Sequence, residues 1–114
     1  MFDRRYKVYE ATKTFVDSIN SDPEHVGSYL NDFNIGTSNA EFLFDADVLN
    51  YIKLVRKRAV GMQTARELYE AQQDSEARTR NVQKYEADRA WLIEQATAMT
   101  KTFIRYLGFP NVKI

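Results

Sequence analysis

The stretch Phe42-Leu43-Phe44-Asp45 leads into the segment that decides the fold, a helix predicted from Ala46 to about Gln72. After Asp45, apolar residues recur at spacings of four, three, four and three, which is the period of one α-helical face and not the alternation of a strand. They are Val48, Ile52, Val55, Ala59 and Met62. We expect the remaining segments to pack around this helix.

The start of this helix carries two capping signals. Asp45 is a candidate N-cap, because its carboxylate can accept hydrogen bonds from the unpaired amides of the first turn. Upstream, Ser38-Asn39-Ala40-Glu41 fits the S-x-x-E capping-box pattern and predicts a short helical turn. That turn would carry Phe42-Leu43-Phe44 into the core, where each side chain contributes about 1.5–3 kcal/mol. The three side chains are predicted to clamp the two halves of the chain together.

Length and composition indicate one domain over residues 1–114. Sixteen basic and sixteen acidic residues give no net charge, which argues against a general nucleic-acid binder and a polybasic membrane-surface protein. The absence of cysteine excludes disulfides and thiol chemistry and fits a reducing compartment. There is no membrane-spanning apolar run and no signal peptide in this sequence, so we expect a cytoplasmic location.

Two shorter helices are predicted before the central one, over about residues 3–20 and 23–34. The buried face of the first consists of Val8, Thr12, Phe15, Val16 and Ile19. The second begins at Asp22-Pro23, where Asp22 is the candidate N-cap and the proline occupies the first helical position. Asn34-Ile35-Gly36 is predicted to end it.

A last helix is predicted over about residues 75–107, after the polar stretch 70–84, and Gly108-Phe109-Pro110 is its predicted stop. Its apolar positions are Tyr85, Leu92, Ala96, Met99, Phe103 and Leu107.

Two arrangements of the third helix (46–73) and the fourth (75–107) fit the polar stretch. The apolar stripes centre near Val55 and Met99, and their midpoint, residue 77, lies within that stretch. This favours an antiparallel hairpin with Asp74 and Ser75 capping the fourth helix. The alternative is one continuous helix over 46–107, which would need a second chain to cover its apolar stripes.

The sequence contains no recognisable catalytic or metal-binding motif. His25 is the only histidine, which excludes a metal site built on two histidines. The carboxylates include no E-x-x-H motif, the serines lie in no G-x-S-x-G context, and the four glycines form no phosphate-binding loop. We therefore expect no enzyme activity, no cofactor, no metal and no small-molecule substrate.

Seven residues are candidates for an interaction surface. Arg56, Lys57 and Arg58 form a basic patch on the third helix, and Arg78 and Arg80 follow along the hairpin. Acidic residues are interleaved with these cations, which is typical of a solvated face with ion pairs worth a few tenths of a kcal/mol each. Tyr69 and Tyr85 complete the set, because aromatic rings are enriched at protein interfaces.

Three further segments stand out together: Arg4-Arg5-Tyr6-Lys7-Val8-Tyr9-Glu10-Ala11, Phe42-Leu43-Phe44 with its following helix, and Phe103-Ile104-Arg105-Tyr106-Leu107. They resemble small uncharacterised bacterial proteins in which such helices form a cytoplasmic part behind an N-terminal membrane anchor. The resemblance implies a helical fold and covers most of the chain, but it assigns no functional residue. This sequence lacks the membrane segment, so the resemblance leaves open a soluble protein or the soluble part of an anchored one.

The sequence therefore predicts an all-α fold of about four helices, with a compact base and a long antiparallel hairpin formed by helices three and four. The expected function is a non-catalytic protein-interaction or scaffolding module that binds a protein partner or itself, for example as a homodimer. The alternative is a nucleic-acid-associated accessory protein that uses the basic patch on the third helix. Steep weakening of binding with salt would favour that alternative.

Overall fold

The computed structural model describes residues 2–107, with side chains from residue 4 onward, and this part of the chain is all-α. The four helices are α1 (Phe2–Ser21), α2 (Val26–Gly36), α3 (Ala46–Ala71) and α4 (Ser75–Leu107). Two 3-10 turns, Pro23–His25 and Ala40–Phe42, lie in the connections before and after α2. The predicted four-helix, all-α class is confirmed.

The third and fourth helices form the predicted antiparallel hairpin along the long axis of the molecule. The 33 residues of α4, at about 1.5 Å per residue, give a length of about 50 Å, close to the longest molecular extent of 53 Å. The turn occupies residues 72–74, slightly before the predicted midpoint. The Asp74 carboxylate accepts a hydrogen bond from the Ala77 amide at 3.1 Å, so Asp74 caps the fourth helix as predicted, whereas Ser75 is the first residue of that helix. One continuous helix over 46–107 is thereby ruled out.

The core lies between the hairpin and the paired first and second helices. The five predicted stripe residues of α3 are all buried. On α4 the buried apolar residues are Leu92, Met99, Phe103 and Leu107. Tyr85 and Ala96, predicted on the same stripe, are partly buried and pack against this core. The two stripes therefore meet as their periodicity predicts.

The first helix covers the hairpin through its predicted apolar face. Its buried residues are Val8, Thr12, Phe15, Val16 and Ile19, as predicted. The ring of Phe15 stacks on that of Phe33 in α2, with 4.3 Å between centroids. The side-chain amide of Asn20 donates a hydrogen bond to the Leu92 carbonyl of α4 at 3.1 Å. The first helix thus joins α2 to the hairpin.

Two predicted side-chain caps are wrong. Asp22 and Asp45 both occupy N-cap positions, but neither makes a side-chain capping hydrogen bond. The Asp22 carboxylate accepts hydrogen bonds from His25 and Tyr29, and the Asp45 carboxylate lies 3.6 Å from the Arg105 guanidinium. Both carboxylates therefore turn toward other side chains and not toward the amides of the first turn.

The second helix and the segment after it also differ from the prediction. The residues Pro23–His25 form a 3-10 turn, and α2 occupies Val26–Gly36 instead of 23–34. The predicted capping box before the third helix does not form. No side chain caps the second 3-10 turn, and the Ser38 hydroxyl donates instead to the Ile35 carbonyl at 2.8 Å.

The predicted clamp of three apolar side chains is wrong in one member. Leu43 and Phe44 are buried, but the Phe42 side chain is 78% exposed. A 3-10 helix has about three residues per turn, so three consecutive side chains point in three directions. In this turn Ala40 takes the inward direction and is buried. Phe42 is consequently left in solvent.

The predicted stop at Gly108-Phe109-Pro110 lies outside the described residues. Within residues 2–107, no helix combines the length and the apolar character that crossing a membrane requires.

Candidate interaction surface

The predicted basic patch is divided between two faces of α3. Residues two apart on an α-helix point about 200° away from each other, so Arg56 and Arg58 face different neighbours. Arg56 Nε donates to the Asn34 side-chain oxygen at 2.8 Å, and its guanidinium lies 5.4 Å from the ring centroid of Phe33. Arg56 therefore packs against α2.

Arg58 faces α4 instead. Its Nη1 lies 3.0 Å from the Asp88 carboxylate, and its guanidinium lies 5.4 Å from the ring centroid of Trp91. Lys57 is exposed and forms no ion pair within the described residues. The three cations therefore do not lie on one surface, and both arginines make contacts within the chain.

Asp88 is the residue in this region that the sequence analysis missed. Its side chain is only 2% exposed, and its two oxygens accept from Arg58 at 3.0 Å and from Lys84 at 2.7 Å. Gly61 of α3 leaves room for this group, because a Cβ there would stand 3.1 Å from an Asp88 oxygen. Its burial could have been predicted from its position along the helix, since Asp88 falls three residues after Tyr85 and four before Leu92 on the buried stripe.

The structure brings the two predicted tyrosines together near the hairpin turn. The rings of Tyr69 and Tyr85 meet edge to face with 5.8 Å between centroids, and both residues are half-buried. Arg78 and Arg80 are exposed in the first turns of α4, where neither forms an ion pair within the described part of the chain. We call residues 69–85 the hairpin tip. Its tyrosines brace the two helices against each other more than they face solvent.

A polar cluster fixes the first 3-10 turn. The Asp22 carboxylate accepts from the Tyr29 hydroxyl at 2.7 Å and lies 2.8 Å from His25 Nδ1. The hydrogen bond from Tyr29 and then that from His25 lower the pKa of Asp22, and the same Asp22 contact raises the pKa of Tyr29. Among the described residues, no group of three or more histidine, aspartate or glutamate side chains is placed to hold a metal ion.

A second polar cluster joins the start of α3 to the end of α4. The Tyr106 hydroxyl donates to Asp47 at 2.7 Å, and Arg105 Nη2 donates to the other carboxylate oxygen at 3.0 Å. The hydrogen bond from Tyr106 is the main cause that lowers the pKa of Asp47. These contacts fasten the open end of the hairpin.

A groove of about 280 Å³ lies between the end of α2, the second 3-10 turn and α3. Its apolar lining is provided by Ala40, Leu49 and Ile52. Two exposed side chains of opposite charge, Glu41 and Lys53, also line it. Neither forms an ion pair within residues 4–107. The groove therefore combines an apolar surface with one anionic and one cationic side chain that form no ion pair among the described residues.

The two segments that line one side of this groove, the end of α2 and the second 3-10 turn, also carry two solvent-exposed apolar side chains. Phe42 and Ile35 are 78% and 65% exposed, more than any other large apolar residue of the described chain. Phe42 belongs to the 3-10 turn that lines the groove, and Ile35 follows the groove residue Asn34 in the sequence of α2. We call the groove together with Phe42 and Ile35 the groove face. The sequence does not predict this surface, because its apolar pattern places Phe42 in the core.

Comparison with models of known protein families found no match, and no curated protein or solved structure matches this chain. The resemblance to membrane-anchored bacterial proteins stays a prediction, because none of these comparisons bears on it.

Proposed function

We propose that this protein is a non-catalytic protein-interaction module that binds through the groove face. The observation that carries the proposal is that Phe42 and Ile35, the two most exposed large apolar side chains of the described chain, belong to the two segments that line one side of a partly apolar groove. Exposed apolar surface that is contiguous marks interaction sites more often than single exposed side chains do. Aromatic side chains that become desolvated at the centre of an interface contribute most of its binding energy.

The predicted interaction residues support this proposal less directly. Arg56 forms one wall of the groove, where its contact with Asn34 holds it in place. Arg58 is engaged by Asp88, and the Tyr69 and Tyr85 rings cover each other. Binding to nucleic acid would depend on the remaining exposed cations, such as Lys57, Arg78 and Arg80, which are separated along the hairpin.

Photo-crosslinking in source cells tests the proposal. A benzophenone amino acid replaces Phe42 or Ile35 in two test proteins. In two controls it replaces Ile93, which is 52% exposed on α4, or Arg80 at the hairpin tip. We expect covalent protein adducts from positions 42 and 35 and none from positions 93 and 80. Adducts from position 80 alone, or adducts that nuclease removes, would favour the nucleic-acid alternative and contradict the proposal.

The proposal includes a cytoplasmic setting, for which a chain without cysteine is well suited. Fractionation of source cells followed by immunodetection checks it. Recovery in an oxidising compartment would contradict this part of the proposal.

A further inference from the structure

We infer that the partner of the groove face is a second copy of this chain, related by a two-fold axis, with Phe42 of each copy in the groove of the other. This inference rests on the proposed function and names the partner of the same surface. Its basis is the juxtaposition, on one 3-10 turn, of an exposed aromatic side chain and the wall of an apolar groove.

The size of the groove favours a single side chain as its occupant. Small-molecule sites usually have volumes of about 300–1,000 Å³ and enclose most of their ligand. At about 280 Å³ the groove falls just below that range, and it is open along one side. A phenylalanine side chain buries about 150–250 Å² when it is fully enclosed, so its insertion would cover apolar surface on both copies.

Two-fold symmetry explains why the aromatic residue and the groove belong to the same patch. In a two-fold dimer the same surface is used by both copies, so each residue that contacts a second residue is contacted by it in return. Phe42 is two residues from Ala40 and one from Glu41, both of which line the groove. One patch thus carries the inserted group and its receptor, as a self-complementary interface requires.

The charges beside the groove are self-complementary as well. Glu41 and Lys53 line the groove from different elements, the 3-10 turn and α3, and neither forms an ion pair within residues 4–107. In the two-fold arrangement, Glu41 of each copy faces Lys53 of the other, which gives two ion pairs of opposite direction. A strongly acidic or strongly basic partner would satisfy only one of the two charges. A second copy satisfies both.

Sedimentation equilibrium of the purified chain over a range of concentrations tests the role of Phe42. We expect reversible dimerisation and a dimer dissociation constant that rises about 30-fold or more in Phe42→Ala, the effect of losing a central aromatic contact. The matched control is Ile93→Ala, which removes another exposed apolar side chain, on α4, and should leave the dissociation constant unchanged. A wild-type chain that stays monomeric throughout, or a dimer unaffected by Phe42→Ala, would overturn the inference.

A charge exchange tests the two-fold arrangement. Glu41→Lys alone and Lys53→Glu alone each place like charges opposite one another twice per dimer, so we expect each to weaken the homodimer about tenfold. An equimolar mixture of the two variants should regain dimerisation, because every opposed pair then contains one cation and one anion. Glu94→Lys and Lys101→Glu on α4 are the controls and should change nothing. Failure of the mixture to dimerise would overturn the arrangement.

The crosslinking experiment separates failure of this inference from failure of the proposed function. An adduct of twice the chain mass from position 42 supports both. An adduct of another mass, together with a monomer in sedimentation, overturns the second-copy inference and leaves the interaction function in place. No adduct from positions 42 and 35, together with a monomer, overturns both.

Discussion

Gly36 at the end of α2 lies so close to Ala11 of α1 that a Cβ at Gly36 would stand 2.5 Å from the Cβ of Ala11. Such a distance is well inside van der Waals contact, and the obstructing atom lies at the rigid base of a side chain. The absence of a side chain at Gly36 therefore sets the separation of α1 and α2. That separation in turn positions the α2 wall of the groove.

Gly36→Ala is expected to destabilise the fold. Forcing α1 and α2 apart disturbs a packed interface, and overpacking of this kind costs about 1–3 kcal/mol. The control is Gly27→Ala in the same helix, where the nearest atom to a new Cβ is the flexible Gln63 amide at 3.7 Å. This control should be neutral or stabilising by up to about 1 kcal/mol through helix propensity. Urea unfolding followed by circular dichroism measures both, and equal stabilities would contradict the close contact.

Phe44→Ala and Phe42→Ala should differ sharply in stability. Phe44 is 7% exposed and its ring lies 5.5 Å from that of Phe103, so its truncation should cost about 3–5 kcal/mol. Phe42 is 78% exposed, and its truncation in dilute monomer should change the free energy of unfolding by about 0.5 kcal/mol or less. Thermal and urea unfolding at low concentration measure both. A large loss in Phe42→Ala would mean that Phe42 belongs to the core.

Asp88→Ala should destabilise the hairpin by about 1–3 kcal/mol, because it removes a buried acceptor from two cations. The lower part of that range is expected, since Arg58 and Lys84 are 37% and 56% exposed and can turn to water. Glu86→Ala, an exposed carboxylate on the same helix, is the control and should have little effect. Hydrogen exchange of α3 and α4 amides provides the measurement. Equal protection in the two variants would show that the buried carboxylate contributes nothing.

Tyr106→Phe should raise the pKa of Asp47, because the Tyr106 hydrogen bond is the main cause that lowers it. A carboxyl group with a lowered folded-state pKa stabilises the fold above its unfolded pKa, and that contribution is lost as the pH falls through the folded value. As the pH falls below about 4, the free energy of unfolding should therefore decrease less in the variant than in the wild-type chain.

Tyr29→Phe is the reciprocal control, since it should raise the pKa of Asp22 and leave Asp47 unchanged. Carboxyl-detected NMR titration follows both groups in one experiment. An Asp47 pKa that does not respond to Tyr106→Phe would contradict the observed hydrogen bond.

Much of the fold could be predicted from apolar periodicity. The stripe from Val48 to Met62 and the buried face of α1 were correct because burial of a helix face depends on spacing alone, whichever neighbour covers it. The hairpin followed from the two stripes and the polar stretch between them. The predicted Asp74 cap also forms, in an exposed turn where no other side chain of residues 4–107 binds its carboxylate.

The remaining features depend on neighbours that are distant in sequence. Asp45 fits a cap motif, yet its carboxylate lies near Arg105, which is sixty residues away in the chain. Arg56 and Arg58 are close in sequence and are predicted to form one patch, but Arg56 contacts α2 and Arg58 contacts α4. Phe42 looks like a core residue until the 3-10 turn directs Ala40 inward instead. The groove face was therefore not predictable from the sequence, because tertiary packing decides which side chains stay uncovered.

The most direct test of the central claim is a dilution series of the ¹⁵N-labelled chain followed by amide NMR. The claim is that two copies of this chain pair through the groove face and not through the hairpin tip. We predict concentration-dependent shifts at residues 35–42 and 49–56, with none at residues 69–85. Shifts confined to residues 69–85, or spectra that do not change with concentration, would contradict the account.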